Sequence, residues 1–165
     1  MNSHLLQAII GMAIVAVVAM FVPRRRRVAL ANTITAARYT DGKKTLTADA
    51  AIARHQLLKS GSSETAVALA TSAAKPLGIA RGAYDSGDPV AVYLLGASHG
   101  TEIGIADAAI AVDARVVPGT TAGRLRTLPA VTGTYWVCGT ALTAAGAAGD
   151  EFEFIPSVPY PVVVP

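Results

Sequence analysis

Residues 133–161 read GTYWVCGTALTAAGAAGDEFEFIPSVPYP, and no other stretch restricts the fold as tightly. Residues 135–140 carry aromatic and β-branched side chains suited to a strand. An alanine and glycine turn follows, and then Glu151, Phe152, Glu153 and Phe154 alternate polar with apolar, the period of a half-buried strand. The pattern predicts strand, turn and strand, with the prolines from Pro156 onward closing the pairing.

The same cadence runs through the rest of the chain. Short apolar runs at residues 65–70, 77–80, 90–95, 102–105, 115–117 and 124–128 are separated by Gly61, Pro76, Gly82, Gly87, Pro118, Gly119 and Gly123. Residues 90–95 do not alternate, which predicts a strand covered on both faces. The expected fold class is all-β: a compact β-sandwich or small barrel with short helical turns, preceded by an N-terminal apolar segment.

A short internal echo adds to this. Residues 48–53, ADAAIA, recur letter for letter at 106–111, and a looser version at 143–149 leads into residues 151–154. Alanine favours helix, but Gly146 and Gly149 in the third version favour a turn or single helical turn that launches a strand. Two close copies are too few for a solenoid.

The length of 165 residues suits one domain with one core. A net charge of +3 suggests a basic protein, yet Arg24, Arg25, Arg26 and Arg27 alone supply four positive charges. The remaining ten basic residues face eleven acidic ones, scattered without runs. A groove for nucleic acid needs clustered cations, with aromatic platforms for single strands, so a nucleic-acid partner is not expected. One cysteine, Cys138, permits neither an intrachain disulfide nor a cysteine metal site, and reads as a buried strand thiol.

Residues 5–22 form an apolar run broken only by Gln7 and Gly11, ending at Pro23 and the four arginines. Three readings stand. The run approaches the length of a membrane span, in which case the arginines would hold the body in the cytoplasm. A secretory signal fits less well, because its positive charge precedes the apolar region. In the third reading translation starts downstream: purine-rich arginine codons can double as a ribosome-binding site, with Val28 the initiator. The expected organisation is residues 1–27 as the apolar segment with its arginines, 28–46 as an extended N-terminal arm, and 47–165 as a β-rich domain.

Tests for chemistry leave no constellation. Residues 96–100, GASHG, match the nucleophile-elbow pattern around Ser98, but an elbow needs a following helix and a later histidine, whereas residues 101–105 read as strand and no histidine follows His99. The segment is expected to be a polar hairpin tip. His4, His55 and His99 are too dispersed for a helical metal site, and His55 reads as a half-exposed strand residue. Asp85 and Asp88 flank a turn that lacks the ligand count for calcium. Asp150, Glu151 and Glu153 could suggest acid and base work, but Glu151 and Glu153 share the solvated face of a strand. Residues 119–124 have glycines but no lysine-serine pair for phosphate. No catalytic, cofactor-binding or metal residue is assigned, no cofactor is expected, and a binding or structural role is favoured over an enzyme.

Several segments resemble the small capsid cement, or head decoration, proteins of tailed double-stranded DNA bacteriophages. Residues 31–34 (ANTI) resemble the start of such a protein after its initiator methionine; residues 76–80 (PLGIA) and 87–92 (GDPVAV) resemble its central part; residues 108–117 and 133–156 resemble the rest. The resemblance covers about residue 29 to the C-terminus. It implies a non-enzymatic β-rich domain on the outside of the expanded shell, often a trimer at local three-fold positions, bridging capsomers and binding the major capsid protein. It also implies a virion location, reached from the host cytoplasm. The first 27 residues depart from the family pattern, which strengthens the downstream-start reading. The alternative function is a membrane-anchored β-domain with a cytoplasmic body. The arm, residues 33–44, and the turn surfaces are expected to carry partner contacts, by strand addition in the case of the arm. Tyr135 and Trp136 are expected in the core.

Overall fold

The computed structural model describes residues 42–97 and 99–165. The expected arm therefore lies outside the described residues except for its end, and so does the apolar run at 5–22. Ten strands follow in order: β1 Lys43–Ala48, β2 Leu57–Ser60, β3 Ala66–Leu69, β4 Gly78–Ala80, β5 Pro89–Leu94, β6 Glu102–Ile105, β7 Arg115–Pro118, β8 Leu125–Thr127, β9 Gly133–Ala141 and β10 Glu151–Val164. The fold is all-β. Strands β1 to β5 close a barrel in the order β1-β3-β2-β4-β5, and the other five form a sheet in the order β6-β10-β9-β7-β8.

These two sheets are copies of one plan. Traced from β1 in the other direction, the barrel reads β1-β5-β4-β2-β3, which matches the second sheet element by element. The registers agree as well. Leu57 faces Ile79 and Leu58 faces Gly78 in the first half; Arg115 faces Thr140 and Val116 faces Gly139 in the second. The parallel pair Ala48 with Val67, which helps close the barrel, returns as the single bridge Ala106 with Leu125. The alanine echo is thus the most conspicuous remnant of a duplication of the whole five-strand unit. The stretch at 143–149 is not a third copy: its Gly149-Asp150 turn corresponds to Gly87-Asp88 in the first half. Both glycines have positive φ, 89° and 95°. Gly87 N–H donates to Ala48 C=O and Gly149 N–H to Ala106 C=O, each at 2.8 Å.

No helix occurs among the described residues, so the expected helical turns are absent. In the repeated segments the isoleucine spends both main-chain groups on a partner across the sheet, Ile52 on Tyr84 and Ile110 on Ala145, and none remains for a helical bond. The aspartate before it points back to a loop. Asp49 accepts from Ser62 N–H and Oγ at 2.6 and 2.8 Å, and Asp107 accepts from Thr120 N–H and Oγ1, each at 2.7 Å, and from Thr121 N–H at 3.3 Å. Both turns then place a non-glycine residue at positive φ, His55 at 65° and Asp113 at 64°.

Packing separates the halves into two cores. Leu46, Leu58, Val67, Val90 and Val92 fill the first barrel. The second core holds Val116, Leu125, Cys138, Phe152 and Phe154, and it also takes Leu57, Ala70, Ile79 and Leu95 from the first half. Neighbouring Leu57 and Leu58 are both fully buried because they point to opposite faces of β2 and serve different cores. Each such side chain contributes about 1.5–3 kcal/mol of burial. The duplicate positions compensate in volume: where the first barrel has Leu46, Val90 and Val92, the second has Gly104, Phe152 and Phe154. A Cβ on Gly104 would lie 2.5 Å from Leu125 and 3.4 Å from Phe154, so the glycine makes room for the Leu125 side chain beside the ring.

Three strand expectations need correction. β5 alternates over residues 90–93: Val90 and Val92 are buried in the first core while Ala91 and Tyr93 are half-buried, and on that second face only Leu95, just past the strand, enters a core, the second one. Its other face is shielded by Arg81, whose guanidinium carbon lies 3.7 Å from the Tyr93 ring centroid. Pairing does not stop at Pro156 but runs to Val164, with a bulge between Pro156 and Tyr160. Beyond Phe154, β10 pairs only with β9, and a proline on such an edge strand can turn its missing donor outward. The hairpin expected around residues 96–100 does not form, since β5 and β6 lie in different sheets.

Candidate functional site

The polar residues that sequence reasoning tested for chemistry are spent on structure. His55 is not a half-exposed strand residue. It is 4% exposed, sits in the turn before β2, and its Nδ1 lies 2.8 Å from Glu151 Oε1 on β10. This contact joins the first half to the second. A second tie lies beside it, where Arg81 Nε and an Nη meet the two Glu102 oxygens at 3.0 and 2.8 Å. Glu102 is 2% exposed, and the fork of the guanidinium satisfies a carboxylate that could not otherwise be buried. Thr101 Oγ1 donates to Glu153 in the same place. Together with Arg54, Ile103, Thr143 and Phe152 these side chains line an open cleft of about 480 Å³. Arg81 and Glu102 neutralise each other across the junction, and the hydrogen bonds of His55 and Thr101 beside them have the geometry of a fastening.

The remaining candidates are also accounted for. Asp88 Oδ2 accepts from Asp85 N–H at 2.9 Å, and Asp150 Oδ2 accepts from Ala147 N–H at 2.9 Å, the equivalent turn of the second half. The N–H groups of Thr120 and Thr121, which could have cradled a phosphate, cradle the Asp107 carboxylate. Partial burial works against ionisation of Asp107, but the bonds from Thr121 and Thr120 outweigh it and hold the group at about 2. Cys138 is buried on β9, and burial pushes its thiol well above the ordinary range. Ser98 lies outside the described residues, and the next element in the chain is strand β6. Among the described residues no three His, Cys, Asp or Glu side chains gather to hold a metal, and no helix is long and apolar enough to cross a membrane.

What the surface offers is apolar and concentrated in the second half. Ile155, Val158, Tyr160 and Val163 on β10 are 50%, 67%, 42% and 72% exposed, and Val112 and Val131 in flanking loops are 53% and 68% exposed. The start of β9 and the end of β10 form a two-stranded ribbon beyond the reach of β6. Trp136 lies opposite Pro161 and Tyr135 opposite Val162, hence on alternate faces. Neither aromatic belongs to a core, contrary to expectation; each is half-buried, with Lys75 5.4 Å from the Trp136 ring and Arg126 5.8 Å from the Tyr135 ring. Such a ribbon is marginal by itself in water, and a partner against its side-chain face would complete it. The apolar residues at both parities of residues 158–164 were the available signal for this surface, masked by the prolines.

A family model described as phage cement protein matches residues 39–155. Among solved structures the chain is similar to the N base of the head fiber gp8.5 of bacteriophage phi29, with a TM-score of 0.54 and 21% identity, covering 71% of this chain and 94% of that one. At that identity the likeness is one of fold. Curated protein sequences give no match.

Proposed function

Because the chain belongs to the phage cement proteins, we propose that it binds the outer surface of the expanded phage head, through the major capsid protein, and stabilises the shell against the pressure of packaged DNA. Membership makes it a capsid-associated structural protein. The observation that carries the finer reading is the family match over both halves of the β-domain. The physical character of the domain suits it: two fused cores, charges that fasten the halves, and exposed apolar side chains of the kind an interface covers. We further propose a homo-oligomer, a trimer in the simplest case, because symmetric repetition turns modest contacts into firm attachment. The protein would reach the virion from the host cytoplasm.

The test is the temperature at which heads release their DNA. Heads lacking the protein should release it several degrees lower than wild-type heads, and adding back purified protein should restore the wild-type value. Equal release temperatures with and without bound protein would reject stabilisation.

A further inference from the structure

The second half carries an extension that the first lacks. β4 begins at Gly78 and β5 ends at Leu94, whereas their counterparts β9 and β10 reach past the equivalent places to Gly133 and Val164. In this ribbon Tyr160, Val162 and Val164 lie opposite Val137, Tyr135 and Gly133 on one face, while Pro161 and Val163 lie opposite Trp136 and Thr134 on the other. The first face is largely covered, with Val137 buried and Tyr135, Val162 and Val164 half-buried. The second is open. Val163 is 72% exposed, Pro161 and Thr134 are exposed, and Trp136 is half-buried with the Lys75 ammonium held over its ring.

Two features limit what can cover the open face. Residues 127–149 and 154–165 contain no Asp, Glu, Lys, Arg or His, so the ribbon and its sequence flanks supply no charge. A partner that buried a charge against it would leave that charge uncompensated, so the partner's contacting surface is uncharged and apolar as well. The same ribbon on another copy of the chain meets that condition. The second feature is the outer edge of β10. A proline in a sheet takes a position whose missing donor faces away from the neighbouring strand, and Pro161, Val163 and Pro165 share one parity. Along residues 160–165 only Val163 N–H is left to donate outward, too little for another strand to add. Proline blunts an edge against open-ended growth, and β10 offers a partner its side-chain face in place of that edge.

We propose that copies of this chain associate through the ribbon, the stripe of Thr134, Trp136, Pro161 and Val163 of one copy packing on the same stripe of the next about the symmetry axis of the oligomer. Each copy contributes the same residues, and the blunted edge keeps the assembly closed. In a trimer the three ribbons form the sides of a prism with their apolar stripes inward. The contact completes a two-stranded element that is marginal by itself. The proposal rests on the oligomeric reading above and names the surface that carries it.

The experiment is sedimentation of the full chain over a range of concentrations, with Trp136 fluorescence as a second readout. Trp136 is the only tryptophan of the chain, so its emission should move to the red as the oligomer dissociates on dilution. Val163→Asp, which gathers like charges at the axis, should weaken association on the order of tenfold per contact, and Val163→Leu should leave it intact. Val112→Asp, at an exposed aliphatic residue outside the ribbon, should associate like the wild type. Both positions are exposed, so folding is preserved, which circular dichroism checks. A Val163→Asp variant that associates like the wild type, a Val112→Asp variant that dissociates as far, or dissociation that leaves Trp136 emission unchanged would overturn the ribbon contact while leaving the oligomer intact. A wild-type chain that stays monomeric would overturn the oligomeric reading itself, and this surface with it; loss of head binding by Val163→Asp would then assign the ribbon to the capsid.

Discussion

Replacing Asp107 by alanine tests whether the repeated aspartate turn holds the fold in the way its geometry implies. The carboxylate accepts from Thr120 N–H, Thr120 Oγ1 and Thr121 N–H, and the variant leaves three donors without it. Thr120 and Thr121 are exposed, so water replaces the lost acceptor and the cost is that of a lost cap, about 1–2 kcal/mol, rather than that of a buried orphan. Linkage supplies an independent figure. A carboxyl held at about 2 instead of 3.8 corresponds to about 2.5 kcal/mol, and solvent screening of a largely accessible group reduces it to about 1 kcal/mol. For a domain of this size that is a drop of roughly 3–6 °C in Tm at neutral pH. The folded value lies below the unfolded one, so the stabilisation is complete above the ordinary carboxylate pKa and fades as pH falls through about 2. Thermal unfolding followed by circular dichroism at pH 7, 4 and 2 should show the gap between wild type and variant widest at pH 7 and much narrowed at pH 2. A gap that is the same at pH 7 and pH 2, or missing at pH 7, would refute the reasoning.

Other substitutions probe the junction and the cores. Gly139→Ala should cost about 2–3 kcal/mol in denaturant unfolding, and Gly78→Ala about the same at the equivalent place, because a Cβ on each runs into a main-chain carbonyl, Ile155 and Tyr93 respectively. Arg81→Met leaves Glu102 buried without its partner and should cost about 3–5 kcal/mol, much of it regained by adding Glu102→Gln, as chemical denaturation would measure. Cys138 should resist thiol reagents in the native protein and react at once on unfolding in urea, since it is buried and its thiol is pushed up.

The strand plan was legible from sequence because its signals are local. The alternation of residues 151–154 and the glycine punctuation between apolar runs depend on neighbours a few positions away, and β6, β7, β9 and the start of β10 appear where those signals place them. The duplication was legible only at ADAAIA. Elsewhere the halves conserve geometry and not letters: Val92 becomes Phe154 while Leu46 becomes Gly104, an exchange of volume across strands that no single-position comparison reveals. His55 was misplaced because its partner, Glu151, is distant in sequence. Trp136 and Tyr135 were misplaced because aromatic strand residues usually fill cores, whereas here β9 outgrows its counterpart β4 and carries them onto the ribbon. The prolines of β10 suggested an end to pairing, although an edge strand can accept them.

Capsid binding is the central claim, and co-sedimentation with heads tests it most directly. Purified full-length chain should pellet with expanded heads that lack their cement protein, saturate at a fixed number of copies per head, and stay in the supernatant when those heads are already decorated. A chain that fails to bind bare expanded heads at any concentration, and is recovered from cells only by detergent extraction of membranes, would contradict the account.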